Sequence, residues 1–347
     1  MSADPRAPLR IGQIAPVAAP VRPGAGDSIE QLVGLLCEEL LRRGHDVTLY
    51  ATGDSVTSAR LRSHRAHGYD EDLELWDWTT SETLHAARAF EHAAEHDVLH
   101  AHDLHFALPF ARLVDVPIVE TQHVDASPEI RAAQRDAPNL HVVAASEAQR
   151  RDLGPGLDVT VIPHGIDVQA FPFSAEGGED LLFLGRMIPD KGPLEAIRIA
   201  RDAGRRIVLA GPLVEGHDVG LDALLDGDRV RYVGRVDHAT RDDLLAGAGA
   251  LLFPVRYPEP FGLVLIEAMA CGTPVLGVSL GAVGEIVEDG VTGYTATSWE
   301  GLAELVAPAL ALDRRAIRER ALARFDFRRM VDDYEALYRR ILAGRAA

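Results

Sequence analysis

Short apolar runs rich in β-branched residues alternate along the chain with longer segments of helical apolar periodicity. The short runs are typical of strands buried on both faces of a parallel sheet, and the longer segments are typical of amphipathic helices that cover such a sheet. This alternation predicts an α/β protein with doubly wound parallel sheets. The predicted strands are Leu9–Ala15, Asp46–Ala51, Val98–His102, Pro117–Gln122, Leu140–Ala145 and Val159–Pro163 in the first half, and Leu181–Gly185, Arg206–Ala210, Val230–Gly234, Ala250–Pro254 and Pro274–Val278 in the second.

A break in this alternation predicts two domains. The segment Phe171–Asp180 is rich in Gly, Pro and acidic residues and lacks apolar periodicity, so we interpret it as a linker and place the boundary near 164–179. We expect an N-terminal domain over 1–165, a C-terminal domain over 166–325 and a packed last helix over Phe325–Leu342. Because open α/β sheets bind ligands at the carboxyl ends of their strands, we expect the site in a cleft between two Rossmann-like domains.

Composition and charge narrow the classes of partner. The chain has 347 residues, of which 47% are hydrophobic, and a net charge of -18, so disorder is excluded and nucleic acid and anionic membranes are disfavoured as partners. Cys37 and Cys271 stand far apart, which indicates neither a disulfide framework nor a thiolate metal site. No apolar stretch reaches about 18 residues and the N-terminus lacks a signal-peptide pattern. We therefore expect a cytoplasmic protein without membrane insertion.

Two cations follow a predicted strand in the second half. Arg186 comes directly after Leu181–Gly185, and Lys191 follows five residues later in the same loop. A fork-shaped guanidinium and a flexible ammonium at the end of a strand suit a diphosphate, because each can engage different anionic oxygens. The alternative is a solvated pair on a surface loop, since exposed Arg and Lys are common.

Two carboxylates eight residues apart form the second candidate group. Glu259 precedes a helix predicted from about Phe261 to Ala270, and Glu267 lies about two turns along it, roughly 10 Å further. Each carboxylate can accept hydrogen bonds from a different hydroxyl-bearing end of an extended ligand, while the first helical amides face a phosphate between them. The alternative is a buried helix with a Glu favoured by the helix dipole at its start and a second Glu paired within the fold.

These segments, taken with others along the chain, resemble one enzyme family. The motifs are Gly185-Arg186, Lys191-Gly192, Glu259-Pro260-Phe261-Gly262 and Glu267 to Val275 in the second half, and Glu30–Leu40, Arg43–Leu49, Gly53-Asp54-Ser55, Val98–Asp103, Thr121-Gln122-His123, Ala145-Ser146-Glu147 and Val161–Asp167 in the first. Over about 10–340, the chain resembles the retaining glycosyltransferases of family 4. The resemblance implies a GT-B fold, with a C-terminal helix over about 326–347 that packs back towards the N-terminal, acceptor-side domain.

The resemblance also implies roles in a donor site of the C-terminal domain. Arg186 and Lys191, next to Gly185, match the pair that binds the donor diphosphate and stabilises the leaving group. Glu267 matches the residue that holds the ribose hydroxyls. Glu259 matches the residue that binds the donor sugar. The backbone amides expected to assist it belong to Phe261, Gly262, Leu263 and Val264.

Further matches concern the base and the reaction centre. The segment Gly234-Arg235-Val236 lies where the family frames the base by backbone contacts. His123 lies where the family places a histidine near the reaction centre, and the alternative is a satisfied core histidine. One departure falls at Asp27-Ser28, where the family has adjacent glycines; here Gly24 and Gly26 come earlier, and Asp27 or Ser28 can serve as an N-cap.

Other histidines invite a metal hypothesis that we do not favour. His92 and His96 stand four residues apart on a predicted helix, and His100, His102 and His105 follow. His100 and His102 share one strand face, and no Cys or carboxylate completes an obvious ligand set. The cationic pair already supplies charge compensation for a diphosphate, and no dinucleotide or Walker fingerprint occurs. We expect neither a metal nor a cofactor.

The resulting prediction is a retaining, metal-independent hexosyltransferase. Its partners are a nucleoside-diphosphate sugar and a small-molecule or glycan acceptor. The donor base is left open among uridine, guanosine and adenosine, because backbone contacts can hold any of them. Alternatives on the same fold are a disaccharide phosphorylase, a nucleotide-sugar epimerase and a non-catalytic nucleotide-sugar sensor.

Overall fold

The computed structural model describes residues 7–22, 28–70, 72, 77–217 and 220–346, and the predicted loop of Gly24, Gly26 and Asp27 lies outside them. The chain divides into two compact units, Met1–Gly165 with Phe327–Ala347, and Ile166–Asp326. Each unit holds one parallel sheet flanked by helices, which confirms the predicted α/β class with two Rossmann-like domains. No helix in the described ranges is long and apolar enough to cross a membrane.

The first unit is built on a seven-stranded sheet with the order β3-β2-β1-β4-β5-β6-β7, in which all neighbours are parallel. The strands are β1 (Arg10–Ile14), β2 (Asp46–Tyr50), β3 (Arg60–Arg62), β4 (Val98–Ala101), β5 (Ile118–Gln122), β6 (Leu140–Ala144) and β7 (Val159–Val161). The helices that precede the second unit are α1 (Ser28–Arg42), α2 (Trp78–Phe90), α3 (Leu108–Ala111), α4 (Pro128–Arg135) and α5 (Glu147–Leu153). The strand order reverses between β1 and β4. The loops that follow these two neighbouring strands therefore run in opposite directions and leave a crevice at the carboxyl edge of the sheet.

Close packing at the centre of this sheet depends on a small residue. β1 is buried at every position after Arg10, as expected for a strand covered on both faces. A side chain at Gly12 would approach Leu99 of β4 to 2.6 Å, so this position admits no larger residue without displacement. Ile14, Leu99 and Ile118 lie in the same apolar cluster and hold three neighbouring strands together.

The second unit is built on a six-stranded parallel sheet with the order β10-β9-β8-β11-β12-β13. The strands are β8 (Leu181–Leu184), β9 (Ile207–Ala210), β10 (Val230–Tyr232), β11 (Ala250–Phe253), β12 (Val275–Val278) and β13 (Gly293–Ala296). The helices are α6 (Pro193–Asp202), α7 (His238–Gly247), α8 (Leu263–Ala270), α9 (Val283–Ile286), α10 (Val306–Leu310) and α11 (Arg314–Phe325). This arrangement places β8 and β11 side by side, although 65 residues, 185–249, lie between them in the sequence.

The structure corrects several predicted elements. The short outer strands β3 and β13 were missed, because neither carries an extended apolar run. α8 begins at Leu263 rather than Phe261, since Gly262 adopts a left-handed conformation with φ 88°. The segment interpreted as a linker packs within the second unit, where Arg314 Nε donates to Ser174 O at 2.8 Å.

The predicted last helix is present as a single helix that begins two residues later than expected and follows a separate helix, α11. α11 ends at Phe325, Asp326 is extended, and α12 (Phe327–Ala346) belongs to the first unit. Tyr334 and Tyr338 of α12 are almost fully buried, and Tyr334 Oη lies 2.7 Å from Thr121 Oγ1 of β5. The predicted return of the C-terminal helix to the N-terminal domain is therefore confirmed.

Candidate active site

The carboxyl edge of the second unit's sheet brings five loops into contact. Gly211 after β9 donates its amide to Gly234 O after β10 at 2.8 Å, and a side chain at Gly211 would overlap Gly185 O after β8. Across the sheet, Arg256 N after β11 donates to Asp190 O at 2.8 Å. Such an edge is where open α/β sheets bind ligands, because loops and helix N-termini converge there.

Lys191, Glu259 and Tyr257 form a bonded group at this edge. Lys191 Nζ lies 2.9 Å from Glu259 Oε2, and both groups make short hydrogen bonds with Tyr257 Oη. The ammonium also lies 4.9 Å from the centre of the Tyr257 ring, within the range of a cation–π contact. The ion pair is mostly buried, with side-chain exposures of 20% and 11%. The structure thus joins two of the predicted site residues directly.

Glycines let these two loops approach each other. Gly192 has φ 77°, and a side chain there would overlap Pro254 O. Gly281 has φ 61°, and a side chain there would overlap the backbone of Glu259. Ala282 N then donates to Glu259 O at 2.8 Å, which ties the loop after β12 to the loop after β11. The position of the Glu259 carboxylate therefore depends on backbone contacts as well as on its ion pair.

Arg186 and Arg235 differ from Lys191, because neither has a charged partner in the part of the chain that the structure describes. Both side chains are exposed, and the described part of the chain offers neither guanidinium a hydrogen bond or an ion pair. Arg186 directly follows Gly185, whose amide is held by Ala210 O at 3.0 Å. The guanidinium of Arg186 is available to an anion at the end of β8, next to the loop that carries Lys191.

The start of α8 presents uncapped amides. Gly262 occupies the N-cap position and has no side chain to accept from the first helical N–H groups, so Leu263 and Val264 keep theirs available. The helix dipole adds partial positive charge at this end. The predicted amide of Phe261 lies before the helix, and its side chain is buried against Phe325 with ring centres 6.1 Å apart. The helical amides of α8 therefore begin at Leu263, two residues later than the predicted start of the helix.

Glu267 is buried inside α8 and paired with a cation that the sequence did not single out. Its side chain is 10% exposed and its Oε1 lies 3.4 Å from Arg241 Nη1 of α7. Burial raises the pKa of Glu267, and the nearby Arg241 guanidinium opposes that rise. Arg241 also bonds Asp242, so it connects two carboxylates. Glu267 does not share a hydrogen bond with Lys191 or Glu259.

His123 lies in the first unit, directly after β5. Its Nε2 atom is 3.1 Å from His102 Nδ1, and its ring stacks on His164 with centres 5.2 Å apart. Burial lowers the pKa of His123 to about 3 and holds the pKa values of His102 and His164 well below their usual range. These imidazoles are therefore neutral at physiological pH, so each carries one N–H and one lone pair.

The remaining histidines are separated in the fold. His92 and His96 flank a 3-10 turn, so the prediction that they share a helix is wrong. His92 Nδ1 lies 2.9 Å from Glu95 Oε1, while His96 Nε2 lies 2.8 Å from Tyr50 Oη. His105 stacks on Phe106. No cluster of three metal-ligating side chains occurs in ranges 7–22, 28–70, 77–217 and 220–346 or at Asp72.

Two doubly wound units, each with one parallel sheet flanked by helices, make up the GT-B fold of sugar-transferring enzymes, and the comparisons agree. The model described as Glycosyl transferases group 1 matches residues 168–324, and the model described as Glycosyltransferase Family 4 matches residues 29–170. The glycogen synthase of Mycobacterium tuberculosis strain H37Rv is 34% identical over 272 residues, which cover 67% of this chain and 66% of that enzyme. The chain belongs to the GT-B glycosyltransferase family that these two models describe.

Solved structures show the same fold over almost the whole chain. AviGT4, a glycosyltransferase involved in avilamycin A biosynthesis, is 27% identical with a TM-score of 0.76, covering 97% of this chain and 99% of that one. Anabaena HepE in complex with UDP-glucose is 20% identical with a TM-score of 0.69, covering 95% and 99%.

Several residues of the site escaped the sequence analysis. Tyr257 stands two positions before Glu259, and this spacing on one extended face was the signal that could have found it. Arg241 lies on a different helix from Glu267, so no local sequence pattern indicated that the two side chains pair. His102 was recognised only as sharing a strand face with His100, and their ring centres are indeed 3.9 Å apart.

Proposed function

We propose that the chain transfers a hexose from a nucleoside-diphosphate sugar to an acceptor hydroxyl with retention of anomeric configuration. The proposal rests on the group at the carboxyl edge of the second unit, where Lys191 is held beside Glu259 and the Arg186 guanidinium has no partner among the described residues. Cations, uncapped amides and a carboxylate in adjoining loops suit a ligand with both phosphates and hydroxyls.

In this proposal Arg186, Lys191 and the first amides of α8 bind the diphosphate. When the bond between the anomeric carbon and the phosphate oxygen breaks, negative charge grows on the departing oxygen. Cations stabilise that charge more strongly in the transition state than in the bound donor, which lowers the barrier. Lys191 and Arg186 supply the charge that a divalent ion would otherwise supply, so we propose that transfer is metal-independent.

Two carboxylates orient the donor on either side of the phosphates. Glu267 accepts hydrogen bonds from the ribose hydroxyls, and Glu259 accepts them from the sugar. Gly185 and the segment Arg235-Val236 lie at the ends of β8 and β10, where backbone groups border the base and ribose. No residue assigned here is a nucleophile for a covalent glycosyl-enzyme, so we propose attack by the acceptor on the face that the diphosphate leaves.

His123 contributes from the first unit in this proposal. It is neutral, so it serves as a hydrogen-bond partner of substrate near the reaction centre rather than as a charged acid. The structure of HepE in complex with UDP-glucose supports a nucleoside-diphosphate donor. The acceptor is a small molecule or a glycan.

The first test is a binding and turnover screen of the full chain. UDP, GDP, ADP, TDP and their sugar conjugates are compared by thermal shift, since a ligand at a hundred times its dissociation constant stabilises by about 2.7 kcal/mol. The donor that stabilises is then incubated with candidate acceptors, with and without EDTA, and the anomeric configuration of the product is determined by NMR. We expect one base to be selected and turnover to survive EDTA.

Matched variants distinguish the loss of a cation at the donor site from the loss of a cation elsewhere on the protein. Lys191→Ala and Arg186→Ala remove cations at the carboxyl edge, whereas Arg206→Ala removes one paired with Asp180 at the start of β9. We expect only the first two to weaken the shift. Equal shifts in all three variants would reject the donor site, and phosphate-dependent cleavage without an acceptor would replace transfer with phosphorolysis.

A further inference from the structure

A continuous chain of buried hydrogen bonds starts at His123 and ends on α12. His123 Nε2 lies 3.1 Å from His102 Nδ1, and His102 Nε2 lies 3.0 Å from Gln13 Oε1. Gln13 Nε2 then donates to Tyr338 Oη at 3.2 Å. The chain thus connects β5, β4, β1 and α12 within the first unit.

From Tyr338 the network continues back to the sheet through a third histidine, His100. Tyr338 Oη lies 2.6 Å from His100 Nδ1, and His100 Nε2 lies 2.7 Å from Thr121 Oγ1. Thr121 Oγ1 is in turn 2.7 Å from Tyr334 Oη. His100, His102 and Gln13 are 2% exposed or less, so water does not compete for these bonds.

Because the imidazoles are neutral, the choice of donor and acceptor in one hydrogen bond of this network fixes the choice in the next. Burial holds the pKa of His102 and of His100 well below the usual range, so each ring has one donor and one acceptor nitrogen. Gln13 presents its carbonyl oxygen to His102, so His102 Nε2 carries the proton and His102 Nδ1 accepts. His123 Nε2 must then be the donor in the bond to His102.

Only one nitrogen of His123 remains for a substrate. With the proton on Nε2, the Nδ1 atom keeps its lone pair, and among the described residues it has no hydrogen-bond partner. Rotation of the Gln13 amide by half a turn would reverse every bond, placing the proton on His123 Nδ1 instead. A mixed arrangement would set two donors or two acceptors against each other, which is costly in a buried network. The chain therefore has two complete states, and the Gln13 amide distinguishes them.

We propose that Gln13 and His102 are positioning residues that hold His123 in the Nε2–H tautomer, with Nδ1 offered as a hydrogen-bond acceptor to a substrate hydroxyl. The Tyr338 hydroxyl is compatible with this state, in which it accepts from Gln13 Nε2 and donates to His100 Nδ1. The predicted tautomer of His123 depends only on residues of the first unit. The consequence for transfer rests on the proposed function, since it requires His123 to meet the substrate.

The test is nitrogen NMR of the full chain labelled with ¹⁵N-histidine, without ligand, at neutral pH. Long-range proton–nitrogen correlations report which ring nitrogen carries the proton, and the His123 signals are assigned by their loss in His123→Gln. We expect protonated Nε2 and unprotonated Nδ1 for both His123 and His102. A protonated Nδ1 on His123, or an even mixture, overturns the proposal in the wild-type protein, before any variant is made.

Variants then test the part played by Gln13. Gln13→Leu removes both of its hydrogen bonds at similar size, and we expect the His123 and His102 signals to shift towards a mixture of tautomers. Ile11→Val is the matched control, because Ile11 is a buried residue of the same strand whose side chain makes no hydrogen bond to this network. An unchanged His123 tautomer in Gln13→Leu overturns the positioning role of Gln13.

A kinetic measurement distinguishes this inference from the proposed function. If His123 Nδ1 accepts from substrate, Gln13→Leu lowers kcat roughly three- to tenfold, the equivalent of one neutral hydrogen bond, while the donor KM changes little. A loss that appears in KM alone contradicts the positioning role. If the wild-type chain transfers no sugar, the proposed function fails, and the NMR result still decides the tautomer.

Discussion

The ion pair of Lys191 and Glu259 permits a test that separates catalysis from stability. We consider Lys191→Met, which keeps the length of the side chain and removes its charge. In the free protein the ammonium lies 2.9 Å from Glu259 Oε2, and the Glu259 side chain is 11% exposed. The substitution therefore has two effects, since it leaves a buried carboxylate with Tyr257 as its remaining partner in the bonded group and removes a cation from the diphosphate site.

Both effects have an expected size. Loss of the partner of a buried charged group costs about 1–3 kcal/mol of the stability of the second unit. A unit charge about 4 Å from the leaving oxygen contributes on the order of 4 kcal/mol at an effective dielectric constant of about 20. Because Arg186 and the amides of α8 share that task, we expect turnover to fall about 10²-fold, at the lower end of the range for loss of one oxyanion donor.

The double variant Lys191→Met, Glu259→Gln distinguishes the two effects. A neutral Glu259→Gln side chain no longer requires a cation, so we expect the urea midpoint of the second unit to recover. Turnover, measured as release of the nucleoside diphosphate, is compared with that of the single variant Glu259→Gln, which carries the same change at the sugar-binding carboxylate. It should stay about 10²-fold below that reference, because the charge that meets the diphosphate is still missing. Recovery to within a few-fold of Glu259→Gln would reduce Lys191 to a counterion of Glu259.

Other expectations follow from the same geometry. Gly192→Ala should abolish nucleotide binding by calorimetry and lower the melting temperature of the second unit, because its side chain would overlap Pro254 O; unchanged binding would mean that the two loops can separate without loss of the site. Glu267→Gln should weaken nucleotide affinity about tenfold, as loss of a charged hydrogen-bond acceptor predicts, with kcat little changed; an effect confined to kcat would assign it to the reaction centre. Burial lowers the pKa of His85 to about 3, against about 6.5 when unfolded, so the unfolded first unit binds more protons between those values and its stability should fall as pH drops from 6.5. Hydrogen exchange of β4 at pH 7.5 and 5 measures that fall, and His85→Gln should reduce its slope by about one proton; an identical slope would show that His85 is already protonated in the fold.

The strands of the sheet centres were predictable because burial on both faces leaves a mark in the local sequence. Leu181–Leu184 and Ala250–Phe253 are apolar throughout, and both lie within the predicted runs. β3 was not predictable, since Arg60 and Arg62 flank its single apolar residue and only the backbone of β2 makes it a strand. An edge strand is stabilised by pairing with a neighbour rather than by an apolar pattern of its own.

The break between α11 and α12 shows the same distinction. The apolar spacing from Met330 to Ile341 predicted a packed helix, and α12 is one. The end of α11 at Phe325 depends on backbone contacts of Ile166 with Asp326 and Phe325, which no pattern near Phe325 encodes. Helix periodicity reports which face is buried, whereas the element against which that face packs is decided elsewhere in the chain.

The sequence by itself determined the fold class, the alternation of strands and helices, and the residues whose types suit phosphates and hydroxyls. It could do so because periodicity and side-chain chemistry are local properties. Tertiary structure alone decided which of those residues meet. Lys191 and Glu259 are 68 residues apart and touch because β8 lies beside β11, and Gln13 reaches Tyr338 across 325 residues because α12 returns to the first sheet. Strand order and the return of a helix arise from packing of the whole unit, and the protonation state of His123 follows from them.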